Sequence, residues 1–449
     1  VAASLSAGEA QRVKLAGLLG SEITNLTVLL DEPSRGLHPR EVNALFDALA
    51  MLRDEGNTVI VVEHDLEIIE KADHIIDMGP GPGVHGGLIV AEGTPEEIKK
   101  TNSATGRWMK KQTASVKPRN RNPREWMTIK GARENNLKGE MVKVPLGVLV
   151  GVCGVSGSGK STLIIDTLGR VLDPVKHTTS VAREPLEPGT YDEITNQPLK
   201  TQIIDQTRKG IRSPAKYLRL DKKLVKLFAE TPDAHALGLD ARKLGKSCSV
   251  CRGSGTEKID MGFLPDVYTE CETCKGTGYS PEAWDVKRQG YTLPEINQLT
   301  TSEVYELFRA EPSITEPLKA AIDVGLGYLV LHQPGYSLSG GEAQRLKIAA
   351  ELSKRKNGNS LYILDEPTLG QHMEDVDRLG KVLQRLVEEG NSVIIVEHHP
   401  MLLAQCDWII ELGPEGGEKG GYMIASCPPD KLSDTPTAPY IKEQLEVQR

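Results

Sequence analysis

An eight-residue glycine-rich segment, Gly154 to Ser161, has the composition and spacing of a phosphate-binding loop. It matches the pattern G-x-x-x-x-G-K-[ST] at every fixed position, between an apolar stretch and a helix-forming stretch. Its glycines let backbone N–H groups curl round phosphates, and the helix N-terminus adds partial positive charge. We therefore expect Lys160 to reach the β- and γ-phosphates of a nucleotide and Ser161 to bind Mg²⁺. The predicted nucleotide-binding residues are Gly154, Val155, Ser156, Gly157, Ser158, Gly159, Lys160, Ser161 and Thr162.

Two carboxylates follow the apolar stretch 360–364 directly. Asp365 is the candidate second Mg²⁺ ligand, and Glu366 is the candidate group that polarises the attacking water. His398 ends the next apolar stretch and is a candidate contact to the γ-phosphate, while Gln206 is a candidate sensor of Mg²⁺ and water. An Asp-Glu-Pro triplet alone is more typical of a strand-ending turn. The phosphate loop in the same chain favours the catalytic interpretation.

The chain repeats itself in four collinear places, and periodic self-similarity indicates a duplicated structural unit. LSAGEAQR at 5–12 returns as LSGGEAQR at 338–345, and VLLDEP at 28–33 returns as YILDEP at 362–367. VIVVEH at 59–64 returns as VIIVEH at 393–398, and ADHIIDMGP at 72–80 returns as CDWIIELGP at 406–414. The repeat adds further candidate nucleotide-site residues, namely Asp31, Glu32, His64, Ser6, Ala7, Gly8, Ser339, Gly340 and Gly341.

Four cysteines have the spacing of a metal site, because two Cys-x-x-Cys pairs are separated by 19 residues. Such pairs suit tetrahedral Cys₄ zinc, and four thiolates leave no open position for catalysis. We therefore predict a structural zinc site at Cys248, Cys251, Cys271 and Cys274. Four reduced structural cysteines, or a redox pair, are the alternatives.

The elements around these residues predict an α/β fold with a parallel sheet. Each copy has a capped helix, a buried strand ending in Asp-Glu-Pro, a helix (40–55 or 374–389) and a second strand ending in Glu-His. Short buried strands that alternate with helices are typical of a parallel sheet. A further strand is predicted from Leu146 to Cys153, and the polar, basic stretch 112–125 is predicted to be a linker.

Length and composition exclude several classes of protein. The chain has 449 residues and a net charge of −8, so bulk positive charge does not bind it to nucleic acid. Seven cysteines are too few for a disulfide scaffold, which favours a reducing compartment. No apolar run reaches the ~18 residues of a membrane span. Because Val1 begins in the middle of a motif, we expect the chain to be the C-terminal part of something longer.

The ordered set of phosphate loop, Gln206, LSGGE signature, Asp-Glu pair and His398 resembles ATP-binding-cassette ATPases. More narrowly, the chain resembles the UvrA family, the DNA-damage-scanning ATPases of bacterial nucleotide excision repair. The stretches that carry this resemblance, which covers nearly the whole chain, are GARENNLK at 131–138, SRGLH at 34–38, GPGPGVHGG at 79–87 and FLPDVY at 263–268.

The resemblance implies a domain plan. Residues 1–111 would be the C-terminal part of a first cassette, and residues 112–125 the linker. Residues 126–171 and 321–449 would form the second cassette, with 172–320 as an insertion that holds the zinc module at about 245–280. Cassettes of this class work head to tail, so the signature Ser6-Ala7-Gly8 would close the loop 154–161. Asp31, Glu32 and His64 would serve the other site.

The resemblance also implies partners and cofactors. ATP, Mg²⁺ and Zn²⁺ are the expected cofactors, and damaged duplex DNA is the expected ligand of a cytoplasmic homodimer without membrane attachment. The region that would bind a UvrB-like partner is expected upstream of Val1. Lys258, Arg252 and Lys275 are candidates for phosphate contacts. A basic run before the zinc module is equally consistent with DNA contacts or with a solvated helix face: Arg208, Lys209, Arg212, Lys216, Arg219, Lys222, Lys223 and Lys226.

Three departures from the family pattern leave two alternatives open. The chain has Tyr279-Ser280-Pro281 after the second cysteine pair, Gln371 after the second Asp-Glu-Pro, and Ser426-Cys427-Pro428 near the end. These changes leave the ATP chemistry intact. They keep open a UvrA-like paralogue in resistance to DNA-binding antibiotics. An ATPase of an export system is the other alternative, although it predicts a short helical insert without zinc.

Overall fold

The computed structural model describes residues 24–83, 86–110, 119, 121–174, 186–262, 267–354 and 358–446, together with 13, 15–17 and 19. Four predicted features lie wholly or partly outside the described residues: Ser6-Ala7-Gly8, most of the linker 112–125, Val84-His85 and Phe263 to Asp266. The chain divides into two compact units. We call residues 1–205 with 356–449 the sheet unit, and residues 206–355 the insert unit.

The strands are numbered in chain order. They are β1 (Thr27–Asp31), β2 (Thr58–Val62), β3 (Ile75–Gly79), β4 (Leu88–Gly93), β5 (Glu125–Lys130), β6 (Val142–Leu146), β7 (Leu149–Cys153), β8 (Glu193–Thr195), β9 (Lys200–Ile204), β10 (Thr256–Ile259), β11 (Val267–Glu270), β12 (Lys287–Arg288), β13 (Tyr291–Thr292), β14 (Ser360–Asp365), β15 (Ser392–Val396), β16 (Trp408–Gly413) and β17 (Tyr422–Cys427).

The α-helices are numbered in the same way. They are α1 (Pro39–Asp54), α2 (Leu66–Lys71), α3 (Pro95–Ile98), α4 (Ala104–Lys110), α5 (Arg170–Leu172), α6 (Pro214–Tyr217), α7 (Leu220–Ala229), α8 (Pro232–Ala236), α9 (Ala241–Leu244), α10 (Leu293–Gln298), α11 (Thr301–Leu307), α12 (Pro312–Asp323), α13 (Gly340–Leu352), α14 (Met373–Glu388), α15 (Pro400–Leu403) and α16 (Ala438–Glu446). A π-helical turn covers Thr162–Gly169, and the insert unit has a 3₁₀ turn at Gly335–Ser337.

The sheet unit is built on a six-stranded sheet in the order β17-β16-β7-β15-β14-β9. All neighbours are parallel except β16 and β17, so the predicted α/β fold with a parallel sheet is confirmed. Strands β7, β14 and β15 are buried on both faces, except for Asp365 at the end of β14. They pack with the small sheet β6-β5-β8 and the helical turn after the phosphate loop around one apolar core. This core fixes the strand ends that carry the candidate site.

The strand pairing reproduces the repeat found in the sequence. Thr27 pairs with Thr58 and Leu361 pairs with Ser392, so both members of the two pairs are offset by 334 positions. The antiparallel pairs β3–β4 and β16–β17 keep the same offset and an irregularity at the equivalent place. Helices α1 and α14 each begin and end one residue before the predicted bounds.

The two copies differ in how much apolar surface their strands bury. Leu29, Ile60, Ile76 and Met78 are 48–72% exposed, whereas their counterparts Ile363, Ile394, Ile410 and Leu412 are at most 1% exposed. The second-copy residues pack under β7 and the sheet β6-β5-β8. Among the described residues, the first copy has no counterpart of these layers. One face of its strands β1 and β2 is therefore exposed to solvent.

One predicted strand boundary needs correction. The strand predicted from Leu146 to Cys153 begins only at Leu149 as β7, because Leu146 ends β6 and the chain turns at Gly147. Residues 172–320 and the insert unit overlap without coinciding. Strand β9 pairs in parallel with β14 and completes the large sheet, so the insert unit begins only at Gln206. It also includes the signature helix α13 and ends at Arg355.

The insert unit is mainly helical, and its largest buried side chains are Phe228 and Phe308. Helix α7 buries Leu224, Val225 and Phe228 on one face. A short antiparallel hairpin, β10–β11, stands between the two cysteine pairs and is largely exposed. No helix among the described residues combines the length and the apolar character that crossing a bilayer requires.

Asp407 ties the start of β7 to the chain before β5. Its side chain is fully buried, accepts hydrogen bonds from the Leu149 and Arg121 N–H groups at 2.9 and 3.2 Å, and pairs with the Arg121 guanidinium at 3.1 Å. We expect Asp407→Ala to lower the free energy of unfolding of the sheet unit by about 2–4 kcal/mol, because two N–H groups lose their acceptor and the Arg121 guanidinium keeps only its half-exposed partner Glu388 among carboxylates. Urea denaturation measures this loss.

Glu388→Ala is the matched control. It removes the other carboxylate on Arg121, but this pair is half exposed at 3.2 Å. Solvent screening limits its expected effect to at most about 1 kcal/mol. Equal losses in the two variants would contradict the role assigned to the buried acceptor.

Candidate nucleotide and zinc sites

The phosphate loop follows β7 and has the backbone of an anion cradle. Gly154 has φ +131°, and a Cβ there would lie 1.9 Å from the Leu412 carbonyl oxygen, so only glycine fits. The Lys160 ammonium is buried at the base of the loop and donates to the Gly154 and Val155 carbonyls at 3.0 and 2.8 Å. Burial lowers the pKa of Lys160 to about 8. The donors and the close backbone fit a bound polyphosphate.

Asn136 braces this loop, a role that the sequence did not reveal. Its amide Nδ2 donates to the carbonyls of Gly157 and Gly417, each at 2.9 Å. The residue belongs to the GARENNLK stretch, which indicated the family but not a contact. Asn136 therefore links the phosphate loop to the turn at Gly417 by hydrogen bonds.

Strand β14 delivers Asp365 and Glu366 to the same edge of the sheet. Burial raises the pKa of Asp365 to about 7, with the adjacent Glu366 adding to the effect. Burial also raises the pKa of Glu366, against the opposing charges of Lys160 and Arg35. His398 Nε2 lies 3.8 Å from Glu366 Oε1, and burial lowers the pKa of this imidazole well below its usual value. Closely spaced, partly buried carboxylates near Lys160 suit a divalent cation such as Mg²⁺.

The first copy holds the equivalent pair in a more open setting. His64 Nε2 lies 3.4 Å from Glu32 Oε1, and both side chains are partly exposed. The hydrogen bond to His64 lowers the pKa of Glu32, and the same bond raises the pKa of His64. Glu32 and His64 therefore form an ion pair below the raised pKa of the histidine, whereas His398 stays neutral.

A glutamate in each copy, buried in the second copy and partly buried in the first, joins the strand ends that carry the candidate residues. Glu397 accepts hydrogen bonds from the N–H groups of Thr368, His398 and His399 at 2.6–3.0 Å. Glu63 accepts from Ser34, His64 and Asp65 at 2.8–3.2 Å. From the sequence, only the histidines of the two Glu-His pairs were candidate site residues. The repeat of this glutamate in both copies was the available signal.

The turns after the two Asp-Glu-Pro segments approach each other's glutamates. A Cβ on Gly36 would lie 3.6 Å from Glu366 Oε1, and a Cβ on Gly370 would lie 2.7 Å from Glu32 Oε1. Ser156 Oγ of the phosphate loop donates to the Gly36 carbonyl at 3.0 Å. A cavity of about 300 Å³ lies here, and its walls include Arg35, Glu32, Glu366 and His398. Both copies thus contribute walls to one partly open cavity.

The described signature, Ser339-Gly340-Gly341, opens helix α13 as predicted. Ser339 Oγ accepts from the Glu342 N–H at 3.1 Å, and Glu342 Oε2 accepts from the Ser339 N–H at 2.7 Å, which is a reciprocal cap. Gln206 lies beside it, since a Cβ on Gly340 would lie 3.2 Å from Gln206 Oε1. The first signature, Ser6-Ala7-Gly8, is outside the described residues.

The four cysteines form one cluster with zinc-site geometry. Their sulfur atoms all lie within 4.8 Å of one another, with 4.0 Å between Cys248 and Cys271 and 3.6 Å between Cys251 and Cys274. Sulfurs at ~2.3 Å from a tetrahedral zinc ion would be about 3.8 Å apart. The Gly255 and Gly278 N–H groups donate to the sulfurs of Cys251 and Cys274 at 3.3 Å, as suits thiolates. The donor set therefore fits Zn²⁺.

Part of the basic run lines a cavity of about 450 Å³ at the base of the zinc module. Arg212, Lys216, Arg219 and Arg252 contribute to its walls. Lys216 Nζ donates to the Gly253 carbonyl at 2.9 Å, which ties the run to the first cysteine pair. By contrast, Lys222 and Lys226 lie on the exposed face of α7. The run is therefore divided between a cationic cavity and a solvated helix face.

The Gly154→Ala variant is expected to weaken ATP binding by roughly one to two orders of magnitude, because the added Cβ strains the loop against the Leu412 carbonyl. Titration with a fluorescent ATP analogue measures the effect. Gly417→Asn is the matched control, since Gly417 also has positive φ (+63°) but open space around it. Asparagine tolerates this conformation, so we expect a change of less than about fivefold. Equal weakening would mean that backbone strain anywhere near the loop suffices.

The curated relatives of this chain carry the same protein name, although no protein-family model matches the chain. The UvrABC system protein A of Aquifex aeolicus is 44% identical over 463 residues, covering 99% of this chain and 49% of that protein. The Thermus thermophilus protein of the same name is 42% identical over 459 residues, with 99% and 48% coverage. The chain thus spans about half the length of the curated relatives it matches.

Solved structures agree. UvrA2 from Deinococcus radiodurans superposes with a TM-score of 0.84 at 38% identity, covering 99% of this chain and 55% of that one. A model of ribosome-bound archaeal Pelota and ABCE1 matches with a TM-score of 0.51 at 19% identity, covering 95% and 56%. The second similarity concerns the fold alone.

Proposed function

This chain is UvrA-like, at about half the length of its curated relatives, and from that premise we propose that it binds and hydrolyses ATP to control recognition of damaged DNA. The observation that carries the proposal is the combination in one chain of a phosphate cradle at 154–161 and a Cys₄ module with a cationic cavity at its base. The antibiotic-resistance and export alternatives are not favoured, because the relatives are named UvrABC system protein A.

The proposed ATPase chemistry is in-line attack of water on the γ-phosphate. A bond forms between the water oxygen and phosphorus, the bond to the ADP oxygen breaks, and the water proton passes to the solvent by way of Glu366. Lys160 neutralises phosphate charge, and His398 contacts the γ-phosphate region. Mg²⁺, when bound by Ser161 and Asp365, neutralises charge on the β- and γ-phosphates. Gln206 senses the ion and the water.

The two glutamates carry different tasks in this proposal. Glu366 acts at the loop 154–161, with Ser6-Ala7-Gly8 closing that site, whereas Asp31, Glu32 and His64 serve a second site. The approach of Gly36 to Glu366 and of Gly370 to Glu32 supports cooperation between the copies.

The insert unit supplies the proposed DNA contacts. Arg212, Lys216, Arg219 and Arg252 surround one cavity, so phosphates entering it would meet several cations at once. Lys258 on the hairpin and Lys275, directly after the second cysteine pair, are further proposed phosphate contacts. Zinc holds the module's shape. We further propose a cytoplasmic homodimer, and a UvrB-like partner for the full-length protein, whose binding region is expected upstream of Val1.

The test is competition binding. A labelled lesion-bearing duplex is titrated with the protein at fixed salt, with and without ATP, against undamaged duplex. Preference for the lesion supports the repair function. Binding without preference places discrimination outside this chain, and no binding with zinc and ATP present refutes the DNA function.

Variants of the cavity cations and of an exposed cation outside the cavity assign the surface. The double variant Arg219→Gln, Arg252→Gln is expected to lower affinity for any duplex and to reduce the slope of log affinity against log salt by about 1–2. Lys319→Gln, an exposed cation on α12 of the same unit, is expected to leave that slope nearly unchanged.

A further inference from the structure

Two half-exposed tyrosines stack across the insert unit. The rings of Tyr268 and Tyr336 lie 4.1 Å apart at an interplanar angle of 17°, and each side chain is 41% exposed. Tyr268 belongs to strand β11 of the zinc hairpin, whereas Tyr336 lies in the 3₁₀ turn Gly335–Ser337. The stack therefore joins two segments that are 68 residues apart in the sequence. An aromatic pair of this geometry favours one relative placement of the two segments.

The turn that carries Tyr336 leads directly into the signature. Only Ser337 and Leu338 separate it from Ser339, the cap of helix α13. The turn is held on its other side, because the Gly335 N–H donates to the Arg212 carbonyl at 2.9 Å and Arg208 Nη1 donates to the Tyr336 carbonyl at 3.0 Å. Because the turn is held by these hydrogen bonds and only two residues follow before Ser339, a displacement of the Tyr336 ring is expected to shift Ser339 as well.

The same segment contacts the zinc module a second time. A Cβ on Gly255 would lie 3.1 Å from His332 Nε2, and a Cβ on Gly278 would lie 3.1 Å from His332 Cε1. These glycines donate N–H groups to Cys251 and Cys274. The segment from His332 to Ser339 thus runs from the base of the two cysteine pairs, past the hairpin, to the signature turn.

The repeat shows that the signature itself does not require an aromatic residue here. The first copy, with the same Ser-Leu-Ser, has Ala3 at the place of Tyr336. The tyrosine therefore serves the contact with the hairpin rather than the turn.

We propose that Tyr336 is a positioning residue that transmits a displacement of the zinc hairpin to the signature turn and to Gln206 beside Gly340. The inference deepens the proposed function and rests on it for its biological meaning: DNA that contacts the hairpin adjusts the residue assigned to sensing Mg²⁺ and water. It names the physical link between the DNA-contacting module and the ATPase elements.

The first experiment needs neither DNA nor ATP. Hydrogen–deuterium exchange is followed at the amides of 340–342 in the wild type and in Tyr268→Ala, Tyr336→Ala and the double variant. Loss of the stack is expected to speed exchange there by about two- to tenfold. The double variant is expected to match Tyr336→Ala, and Tyr336→Phe is expected to match the wild type. Unchanged exchange in Tyr268→Ala, or additive effects in the double variant, overturns the inference.

The second experiment measures whether DNA changes ATP turnover through Tyr336. Undamaged and lesion-bearing duplexes are added to the wild type, Tyr336→Phe and Tyr336→Ala, and ATP turnover is measured with its KM. The expected result is that Tyr336→Ala loses the DNA-induced change in kcat while its DNA-free kcat and KM stay near those of the wild type. An intact DNA response in Tyr336→Ala overturns the inference and leaves the proposed function standing. A wild type without DNA binding or turnover refutes the proposed function, and the exchange experiment still decides the inference.

Discussion

Replacement of Glu366 by glutamine is expected to lower ATP turnover by about 10²- to 10⁴-fold while ATP affinity changes by no more than about threefold. Glutamine keeps the shape of the side chain but cannot accept a proton from water. Glu366 lies directly after β14, and its N–H donates to the Val396 carbonyl at 2.9 Å, which fixes the backbone independently of the side chain. The variant therefore removes a charge without displacing the loop 154–161.

Single-turnover hydrolysis and binding of a fluorescent ATP analogue measure the two effects separately. A variant that hydrolyses ATP at the wild-type rate would remove Glu366 from the chemistry. Loss of ATP binding together with turnover would instead assign it a structural role.

Glu32→Gln is a matched control that the repeat supplies. Glu32 occupies the equivalent strand end, has a similar backbone φ of +46° against +42° for Glu366, and also lies near a histidine. Its hydrogen bond to His64 sets it apart from Glu366, and that histidine is 39% exposed against 10% for His398. We expect turnover at the loop 154–161 to fall by less than about threefold in this variant. A loss as large as that of Glu366→Gln would mean that the copies hydrolyse ATP only together.

Local patterns were sufficient for much of the fold and for the candidate residues. The 334-residue offset predicted equivalent strand pairs, which the registers of β1–β2 and β14–β15 confirm. The two Cys-x-x-Cys pairs predicted one cluster, and the four sulfurs lie together. These features depend on spacing within a motif or on strand ends that share an edge, so short-range rules apply.

Contacts between distant segments were not predictable in the same way. Nothing in Gly36 or Gly370 indicates that each lies against the glutamate of the other copy, because a glycine has no side chain to reveal its partner. The brace from Asn136 to Gly417 spans 281 positions. The inclusion of β9 in the large sheet also depends on pairing with a strand 160 residues away. Such contacts follow from the packed fold and not from any local pattern.

Replacement of Cys271 by serine is expected to abolish zinc binding and to unfold the hairpin β10–β11 while the sheet unit stays folded. Cys271 is fully buried in the cluster. The hairpin itself is almost entirely exposed and has no core of its own. Its order therefore depends on the metal, and binding of structural zinc contributes about 10–16 kcal/mol to small zinc modules. The sheet unit has its own core, so ATP binding is expected to remain.

Three measurements on one preparation separate these effects: zinc content by mass spectrometry, amide exchange in β10 and β11, and affinity for a fluorescent ATP analogue. Cys427→Ser is the matched control, because Cys427 lies in β17 of the sheet unit, outside the cluster. It is expected to keep its zinc and a protected hairpin. In Cys271→Ser, DNA affinity is expected to fall because the cations Lys258 and Lys275 lose their fixed placement. Retention of stoichiometric zinc would refute the Cys₄ assignment, and a protected hairpin without zinc would show that protein contacts such as the Tyr268–Tyr336 stack suffice to order it.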